Sequence, residues 1–329
     1  MGSPCRNALF ILLCTLALFL PEAWGNALKG HPSPYLAMHG EDPVDWRTWG
    51  PEVLAEAGKG QRLIFVSSGY FACHWCHVMH RESFQDREVA GVLNRFIPVK
   101  VDRELSPALD ALLIEFVEHT RGAAGWPLNV ILTPDGDPLI GFTYLLKDRL
   151  LHVLTTLQTL WKEDRERLVA LARENTERLK KDASKPPPPA PHPPREAFLR
   201  TALALADELS GGFGHQMKFP QVPQIEALLA LFPENEEVRR FVTLTLDQMA
   251  SQGLRDHIGG GFFRYTIDPN WQRPHFEKML YDNALLAHLY LMASKVYGRK
   301  DYADIAFETL AFMEREMKKG KLFVASLSA

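Results

Sequence analysis

The hydrophobic and polar positions of the chain follow two different patterns, which meet at a proline-rich stretch near residue 190. Before that stretch, short apolar runs alternate with helix-like segments. The pattern predicts strands over 62–68, 97–102, 128–133 and 138–144, and helices over 76–95, 107–121 and 147–182. Because the turn residues Pro134–Asp137 separate the last two strands, those strands are expected to form a hairpin. Strands that alternate with helices and end in a hairpin predict an α/β domain with a mixed central sheet over 26–183.

The second half of the chain has helical periodicity without strand signals. Residues 184–195 are rich in proline and predict a semi-rigid linker between two domains. Beyond the linker, helices are predicted over 196–210, 223–232, 235–252, 276–298 and 301–319. Helix pairs joined by glycine-rich connectors are typical of an α/α toroid. We therefore expect an all-α domain over 196–329, incomplete because five helices cannot close a ring of six pairs.

The first 25 residues have the three-part plan of a secretory signal peptide. A basic residue, Arg6, precedes an apolar run over 8–20, and Ala23-Trp24-Gly25 places small residues at the positions that a signal peptidase requires. The apolar run is short for a membrane span, although an uncleaved anchor is the alternative. The expected localisation is therefore export, either periplasmic or secreted, with no membrane attachment after cleavage.

The charge of the chain argues against a nucleic-acid partner, and its cysteine content points to one pair of residues for chemistry. The formal net charge of −3 shows no basic excess, so nucleic acid is not an expected partner. Two of the four cysteines, Cys5 and Cys14, lie in the predicted leader. The mature chain would keep only Cys73 and Cys76. A disulfide between residues so close in sequence constrains the unfolded chain very little, so this pair is expected to perform chemistry rather than to stabilise the fold.

The stretch Cys73-His74-Trp75-Cys76-His77 is the strongest candidate for chemistry. It follows a predicted strand and opens a predicted helix, where the unpaired amide groups of a first turn favour a thiolate. We assign Cys73 as the attacking cysteine and Cys76 as the resolving one, and protonated His74 and His77 would favour the Cys73 thiolate. No metal or other cofactor is expected for this chemistry.

Three other interpretations of the same five residues stay open. Cys-x-x-Cys-His is also the c-type haem attachment pattern, with His77 as the axial ligand. Cys73 and Cys76 with two nearby histidines, drawn from His74, His77 and His80, could bind zinc. The pair could also be merely structural. The strand before the motif favours the redox interpretation, because haem attachment favours a mostly helical surround.

Several motifs spread over the chain resemble one family, that of the spermatogenesis-associated protein twenty of animals and its long bacterial relatives. They are Ser33-Pro-Tyr35, Asp42-Pro-Val-Asp-Trp46, Cys73–Met79, Glu82-Ser-Phe84, Val101–Glu104, Gly125–Asn129, Lys218-Phe-Pro220, Gly253–His257, Gly260–Phe262 and Pro274–Asn283. The resemblance implies a thioredoxin-like domain followed by an α/α toroid similar to those of sugar epimerases and glycosidases. It also implies that relatives continue beyond residue 329, for several more helix pairs.

The thioredoxin-like resemblance assigns roles to residues outside the cysteine motif. Pro127, in Gly125-Trp126-Pro127, occupies the place of the cis-proline that faces the disulfide in such domains, although an ordinary trans-proline is the alternative. Thioredoxins carry a buried acid six residues before the first cysteine, and here that position is Ser67. Asp102, Glu104 or His77 are candidates to replace that acid in proton transfer.

A second cluster of polar residues lies in the predicted helical domain. Its members are His257, His275, Glu277, Lys278, Tyr281 and Asp282. His275, Lys278 and Asp282 are spaced three and four residues apart, so a helix over 276–298 could present them on one face. Acid–base work on a sugar is one interpretation, and a polar inner ring of the toroid is the other.

The sequence therefore predicts an exported thioredoxin-like protein that exchanges thiols and disulfides through Cys73 and Cys76. Its expected partners are protein thiols or disulfides, with a sugar ligand as a candidate for the helical domain. Two alternatives are a carbohydrate-active toroid with a regulatory thioredoxin-like domain, and a non-catalytic module that binds a metal or a partner.

Overall fold

The computed structural model describes residues 26–183 and 194–328. The predicted leader, and the predicted linker up to residue 193, lie outside these residues. The chain divides into two compact units, one built mainly from residues up to Ala183 and the other mainly from residues after it.

The N-terminal unit contains one sheet and seven α-helices within its described residues. Its elements, in chain order, are α1 (Pro34–Ala37), α2 (Pro51–Gly60), β1 (Ile64–Gly69), α3 (His74–Met79), a π-helical turn (His80–Phe84), α4 (Arg87–Leu93), β2 (Ile97–Asp102), α5 (Pro107–Arg121), β3 (Leu128–Leu132), β4 (Pro138–Phe142), α6 (Lys147–Glu163) and α7 (Arg165–Ala183).

The sheet is mixed and has the strand order β2-β1-β3-β4. β1 pairs with β2 in parallel and with β3 antiparallel, and β3 and β4 form the antiparallel hairpin expected from the turn at Pro134–Asp137. Every residue of β1, β2 and β3 is buried. Strands buried on both faces explain why the sequence shows continuous apolar runs instead of alternation. The predicted mixed sheet with a terminal hairpin is confirmed.

The main core of this unit lies between the sheet and two helices whose termini are set by proline and glycine. Pro51 and Pro107 occupy the first turns of α2 and α5, where a missing amide hydrogen costs nothing. α5 ends at Gly122, whose φ of +80° is the left-handed conformation that glycine adopts without strain. Apolar residues of both helices, such as Val53 and Phe116, pack against the central strands.

Two helices that the sequence predicts as continuous are interrupted. The segment predicted over 147–182 is broken at Asp164, whose backbone is non-helical. The segment predicted over 76–95 passes through the π-helical turn and restarts at α4, because the Asp86 side chain accepts hydrogen bonds from the amides of Glu88 and Val89. Hydrophobic periodicity passes through both breaks, so the pattern alone did not reveal them.

The second unit is mainly helical. Its elements are α8 (Pro194–Leu205), α9 (Val222–Leu231), α10 (Glu236–Ser251), β5 (Tyr265–Thr266), β6 (Pro274–His275), β7 (Lys278–Met279), α11 (Leu280–Tyr297), α12 (Lys300–Phe312), a π-helical turn (Met313–Met317), β8 (Lys318–Lys319), β9 (Leu322–Phe323) and β10 (Ser326–Leu327). Its largest core lies among the five helices and includes Ile225, Leu246 and Tyr290.

The helical character predicted for this unit is confirmed, but its connectors also contain short strands that leave no signal in the sequence. Among its described residues, six two-residue strands pair with one another, and three of them precede α11. β6 pairs with β5 and β7 pairs with β10, so the chain stays extended until Leu280 and the helix predicted over 276–298 begins later. Strands of two residues are too short to show a hydrophobic period, and the partner of β7 lies far along the chain, so the sequence pattern does not reveal these pairings.

No helix within residues 26–183 and 194–328 combines the length and apolar character that a membrane span needs.

Candidate active site

Cys73 and Cys76 form a disulfide at the junction between β1 and α3. Cys73 directly precedes α3 and Cys76 lies within its first turn, after the buried strand that ends at Gly69. Cys73 is 2% exposed and Cys76 is 1% exposed. The pair therefore has the covalent state and the strand-to-helix position expected of a redox centre, in a buried setting.

The proline predicted opposite the disulfide is preceded by a cis peptide bond. Trp126-Pro127 is the cis bond among the described residues, and it lies just before β3. The Trp126 indole donates a hydrogen bond to Asp110 Oδ1 over 3.0 Å, and Ser68 Oγ donates to the same oxygen over 2.6 Å. Asp110, on α5 and 5% exposed, thus connects the end of β1 to the segment that carries Pro127.

The position that holds a buried acid in thioredoxins is here a serine bonded to a buried lysine. Lys100 Nζ donates to Ser67 Oγ over 3.1 Å, and Lys100 is 1% exposed. The ammonium group also lies over aromatic rings, 4.2 Å from the centroid of Phe84 and 4.9 Å from that of Trp46. Burial lowers the pKa of Lys100 to about 7, against the attraction of Asp42, which raises it.

Of the three candidates for proton transfer, Asp102 is the most buried. It is 7% exposed, and it lies opposite Gly69 in the parallel ladder. Ser33 Oγ donates to Asp102 Oδ2 over 2.6 Å, and the Glu104 amide donates to Oδ1 over 3.0 Å. Burial raises the pKa of Glu104, and the charge of Asp102 adds to that rise. His77, on α3, is half-buried.

A buried carboxylate, Asp42, holds the N-terminal segment against the π-helical turn. Its Oδ2 accepts from Trp46 Nε1 over 2.9 Å and lies 2.7 Å from His39 Nδ1, while its Oδ1 lies 2.6 Å from His80 Nε2. Burial by itself would raise the pKa of Asp42, but the hydrogen bonds with His39 and His80 lower it to about 2. Burial lowers the pKa of His39 to about 3. His80, one of the predicted zinc-ligand candidates, is therefore bonded to Asp42.

The six polar residues predicted as a second site do not share one helix face. His275 lies in β6 and Lys278 in β7, whereas Asp282 lies on α11, so the predicted three-and-four spacing on one helix is wrong. The cause is the strand pairing that keeps the chain extended up to Leu280. His257 and Tyr281 are exposed.

Lys278 bonds to an aspartate and to a glycine carbonyl of a connector loop, and this arrangement occurs twice in the unit. Lys278 Nζ donates to Asp256 Oδ2 over 2.6 Å and to the Gly260 carbonyl over 2.7 Å. In an earlier connector, Lys218 Nζ donates to Asp207 Oδ2 over 2.8 Å and to the Gly211 carbonyl over 2.7 Å. Each aspartate also accepts hydrogen bonds from two amides of its own loop. The repetition favours a structural role for Lys278.

Buried Glu277 and half-buried Asp282 remain as carboxyl groups that influence one another electrostatically. Arg264 pairs with Glu277 Oε2 over 3.0 Å. His275 Nδ1 lies 3.5 Å from Glu277 Oε1 but makes no hydrogen bond there, and burial lowers the pKa of His275. Asp282 Oδ2 is buried and has no hydrogen-bond partner in the described part of the chain, and burial raises the pKa of Asp282 to about 7.

Comparison with known proteins reaches both units. Residues 25–180 match the family model Thioredox_DsbH, described as a protein of unknown function, DUF255. Over 315 residues the chain is 36% identical to spermatogenesis-associated protein 20 of Homo sapiens, covering 90% of this chain and 40% of that protein. The resemblance predicted from the sequence is confirmed. An uncharacterized protein of Caenorhabditis elegans is 35% identical over 294 residues, covering 85% of this chain. The chain spans 40% of the length of these curated relatives.

Solved structures each match part of the chain. A sugar epimerase from a ruminal bacterium has a TM-score of 0.36 and 12% identity, covering 40% of this chain and 37% of its own. The DsbH oxidoreductase has a TM-score of 0.29 and 18% identity, covering 35% of this chain and 85% of its own. The predicted thioredoxin-like α/β domain is confirmed by the family model, and the predicted helical character of the domain after it is confirmed by the structure.

Three residues around the disulfide were not singled out from the sequence. Asp110 is the one polar residue among the buried positions of α5, and that exception is a usable signal. Lys100 interrupts the apolar run of β2, which also marks it. Tyr35 belongs to the motif Ser33-Pro-Tyr35, but nothing in the sequence shows which atoms its hydroxyl faces.

Proposed function

We propose that the N-terminal unit catalyses thiol–disulfide exchange through Cys73 and Cys76. The observation that supports this most is the disulfide between these residues at the end of a buried strand and the start of α3. A disulfide between cysteines that are separated by two residues restrains the unfolded chain very little. A contribution to the stability of the fold therefore does not explain why these cysteines are paired. The match to the Thioredox_DsbH model agrees with the proposal.

The exchange begins with the attack of a substrate thiolate on Cys73 Sγ. A bond forms between the two sulfurs, the Cys73–Cys76 bond breaks, and its electron pair leaves on Cys76 Sγ as a thiolate. A second substrate thiolate then attacks the substrate sulfur of the mixed disulfide and releases the Cys73 thiolate. The substrate dithiol is thereby oxidised to a disulfide, and the enzyme pair is reduced. The reverse sequence reduces a substrate disulfide.

The burial of the cysteines limits which substrates can react. Since Cys73 is 2% exposed, a substrate sulfur reaches it only after Cys73 becomes accessible. We expect small thiols to react more readily than folded proteins, and extended protein segments to be the natural class. Export, which the leader residues predict, would place the pair in an oxidising compartment.

Reduction of insulin disulfides by a small thiol tests the proposal. The full chain should accelerate the reaction, and Cys73→Ser should abolish the acceleration because no attacking sulfur is left. Cys76→Ser should lower turnover strongly because the mixed disulfide is no longer resolved. Lys29→Met, a change at an exposed site, is the control. Equal activity in the wild-type protein and the Cys73→Ser variant would contradict the proposal.

A second candidate function, acid–base chemistry in the helical unit, is favoured by Asp282. A carboxyl group with a pKa of about 7 can donate a proton near neutral pH, and the neighbouring Glu277 supplies a second carboxyl. A sugar is the substrate class we propose for this pair. Epimerase or glycosidase activity should disappear in Asp282→Asn and survive Cys73→Ser with Cys76→Ser. Activity that needs the cysteines would rule this candidate out.

A further inference from the structure

The side chain of Tyr35 ends in a buried hydroxyl group without a hydrogen-bond partner. Tyr35 follows Pro34 in the short helix α1, and the residue is fully buried. No donor or acceptor within residues 26–183 and 194–328 lies within hydrogen-bonding geometry of its Oη. A buried hydroxyl without a partner is costly, so the fold bears a penalty in the disulfide state that phenylalanine at this position would avoid.

This hydroxyl and the sulfur of Cys76 are neighbours across Gly69. A Cβ atom placed on Gly69 would collide with Tyr35 Oη and would lie 2.7 Å from Cys76 Sγ. Glycine at the end of β1 therefore leaves a space that the two atoms share. Of the two cysteine sulfurs, the one that borders this space beside the hydroxyl is that of Cys76, which we assign as the resolving cysteine.

We propose that Tyr35 is a catalytic residue that donates a hydrogen bond to the Cys76 sulfur when the disulfide opens. This inference rests on the exchange reaction proposed above. In that reaction the Cys73–Cys76 bond breaks, and the electron pair leaves on Cys76 Sγ. The phenol keeps its proton throughout and only turns its O–H toward the new negative charge, so no proton is consumed. The reaction itself therefore creates the acceptor, the Cys76 thiolate, that the Tyr35 hydroxyl lacks while the disulfide is intact.

The surroundings keep the phenol in the form that can donate. Burial raises the pKa of Tyr35 well above its ordinary value, and the charges of Asp102 and Asp110 raise it further. The ring is held in place by an edge contact with His39, 5.4 Å between centroids. Phenylalanine can keep that ring contact and lacks only the hydroxyl, so Tyr35→Phe isolates the hydrogen bond.

Reduction by dithiothreitol tests the inference without any protein substrate. A hydrogen bond to a charged group that exists only after bond breaking should speed disulfide opening by about tenfold or more. We therefore expect Tyr35→Phe to open its disulfide about tenfold more slowly than the wild-type protein at the same pH. Tyr297→Phe is the matched control, because Tyr297 also has a buried hydroxyl without a partner, in the helical unit. Opening of Tyr35→Phe at the wild-type rate would overturn the proposal.

Unfolding in urea separates this role from simple packing. In the oxidised protein, Tyr35→Phe should leave stability unchanged or increase it, because it removes an unpaired hydroxyl. In the reduced protein at alkaline pH, where the thiolate is present, the same change should be destabilising. A loss of equal size in both redox forms would mean that Tyr35 only packs, and would overturn the proposal. If insulin reduction fails while these differences are found, the exchange function falls and the Tyr35 contact stands.

Discussion

Trp126 and Asp110 are joined by a hydrogen bond of 3.0 Å from the indole nitrogen to Oδ1. Asp110 Oδ1 also accepts from Ser68 at the end of β1, and the Arg103 guanidinium lies 3.8 Å from the centre of the Trp126 ring. One buried carboxylate therefore fixes the residue before Pro127 relative to the strand that leads to the cysteines. The geometry of the candidate redox site depends on a helix residue that takes no part in the chemistry.

Replacing Asp110 with alanine is expected to lower the free energy of unfolding by about 1–3 kcal/mol, because the buried Ser68 hydroxyl and the half-buried Trp126 indole lose their acceptor. It should also slow disulfide exchange, since the Trp126-Pro127 segment is no longer fixed. Urea unfolding and the rate of insulin reduction measure the two effects. Asp304→Ala, at an exposed position, is the control. An unchanged exchange rate in Asp110→Ala would show that this hydrogen bond does not position the site.

The Asp42 cluster should make the N-terminal unit sensitive to acid. The folded protein keeps Asp42 ionised down to a pKa of about 2, whereas the unfolded chain is protonated near 3.8, so this stability is complete above 3.8 and is lost as the pH falls to 2. His39 adds to the loss, because the unfolded chain binds its proton near 6.5 and the folded protein only at a pKa of about 3.

Asp42→Asn tests the first part of this acid response. This change should lower the free energy of unfolding by about 3 kcal/mol at pH 7, since three hydrogen bonds lose their charged acceptor. The difference between the free energies of unfolding of Asp42→Asn and the wild-type protein, measured in urea, should become smaller below pH 4. In that range the Asp42 carboxylate of the unfolded wild-type chain takes up a proton. A difference that is constant from pH 7 to pH 3 would contradict the assignment of the low pKa to Asp42.

Lys100 should also make stability rise with pH, but in the alkaline range. Burial lowers its folded pKa to about 7 from an ordinary 10.5, so between these values the unfolded chain holds a proton that the folded protein lacks. Its contribution to stability therefore rises from pH 7 to pH 10.5. Lys100→Met should be more stable than the wild-type protein at pH 7, and that advantage should shrink as the pH approaches 10. Lys29→Met should show no such trend because Lys29 is exposed.

The two lysine–aspartate pairs in the connector loops of the helical unit differ in how deeply they are buried. The Lys218 side chain is 0% exposed and its partner Asp207 7%, whereas Lys278 and Asp256 are 9% and 21% exposed. Breaking a buried pair leaves an uncompensated charge and costs about 3–5 kcal/mol. We expect Lys218→Met to lower the free energy of unfolding, measured in urea, by nearly that amount. Lys278→Met should lower it by less. If Lys278→Met kept full stability but lost a sugar activity, Lys278 would belong to a site after all.

The sheet could be predicted from the sequence because its strands are buried on both faces and are separated by clear turn residues. The paired cysteines could be found because their spacing and the strand before them are local features. Helix ends at Asp164 and Asp86 were missed, since each depends on the conformation or side-chain bonding of a single residue.

The remaining parts of the site depend on contacts between segments far apart in the chain. Tyr35 meets Cys76 across Gly69 only because the N-terminal segment folds over the end of β1. Lysine is a surface residue in most proteins, so an amphipathic pattern does not predict a buried Lys100. The strands before α11 form through pairing with Tyr265–Thr266 and Ser326–Leu327, which no local pattern reveals.

The most direct test of the central claim is to trap the mixed disulfide. The Cys76→Ala variant is treated with a small disulfide, and the cysteine that acquires the added thiol is identified by mass spectrometry of its peptides. We predict a stable adduct on Cys73, and none in that peptide when Cys73→Ala is combined with Cys76→Ala. An unmodified Cys73 in a folded protein would contradict thiol–disulfide exchange through this pair.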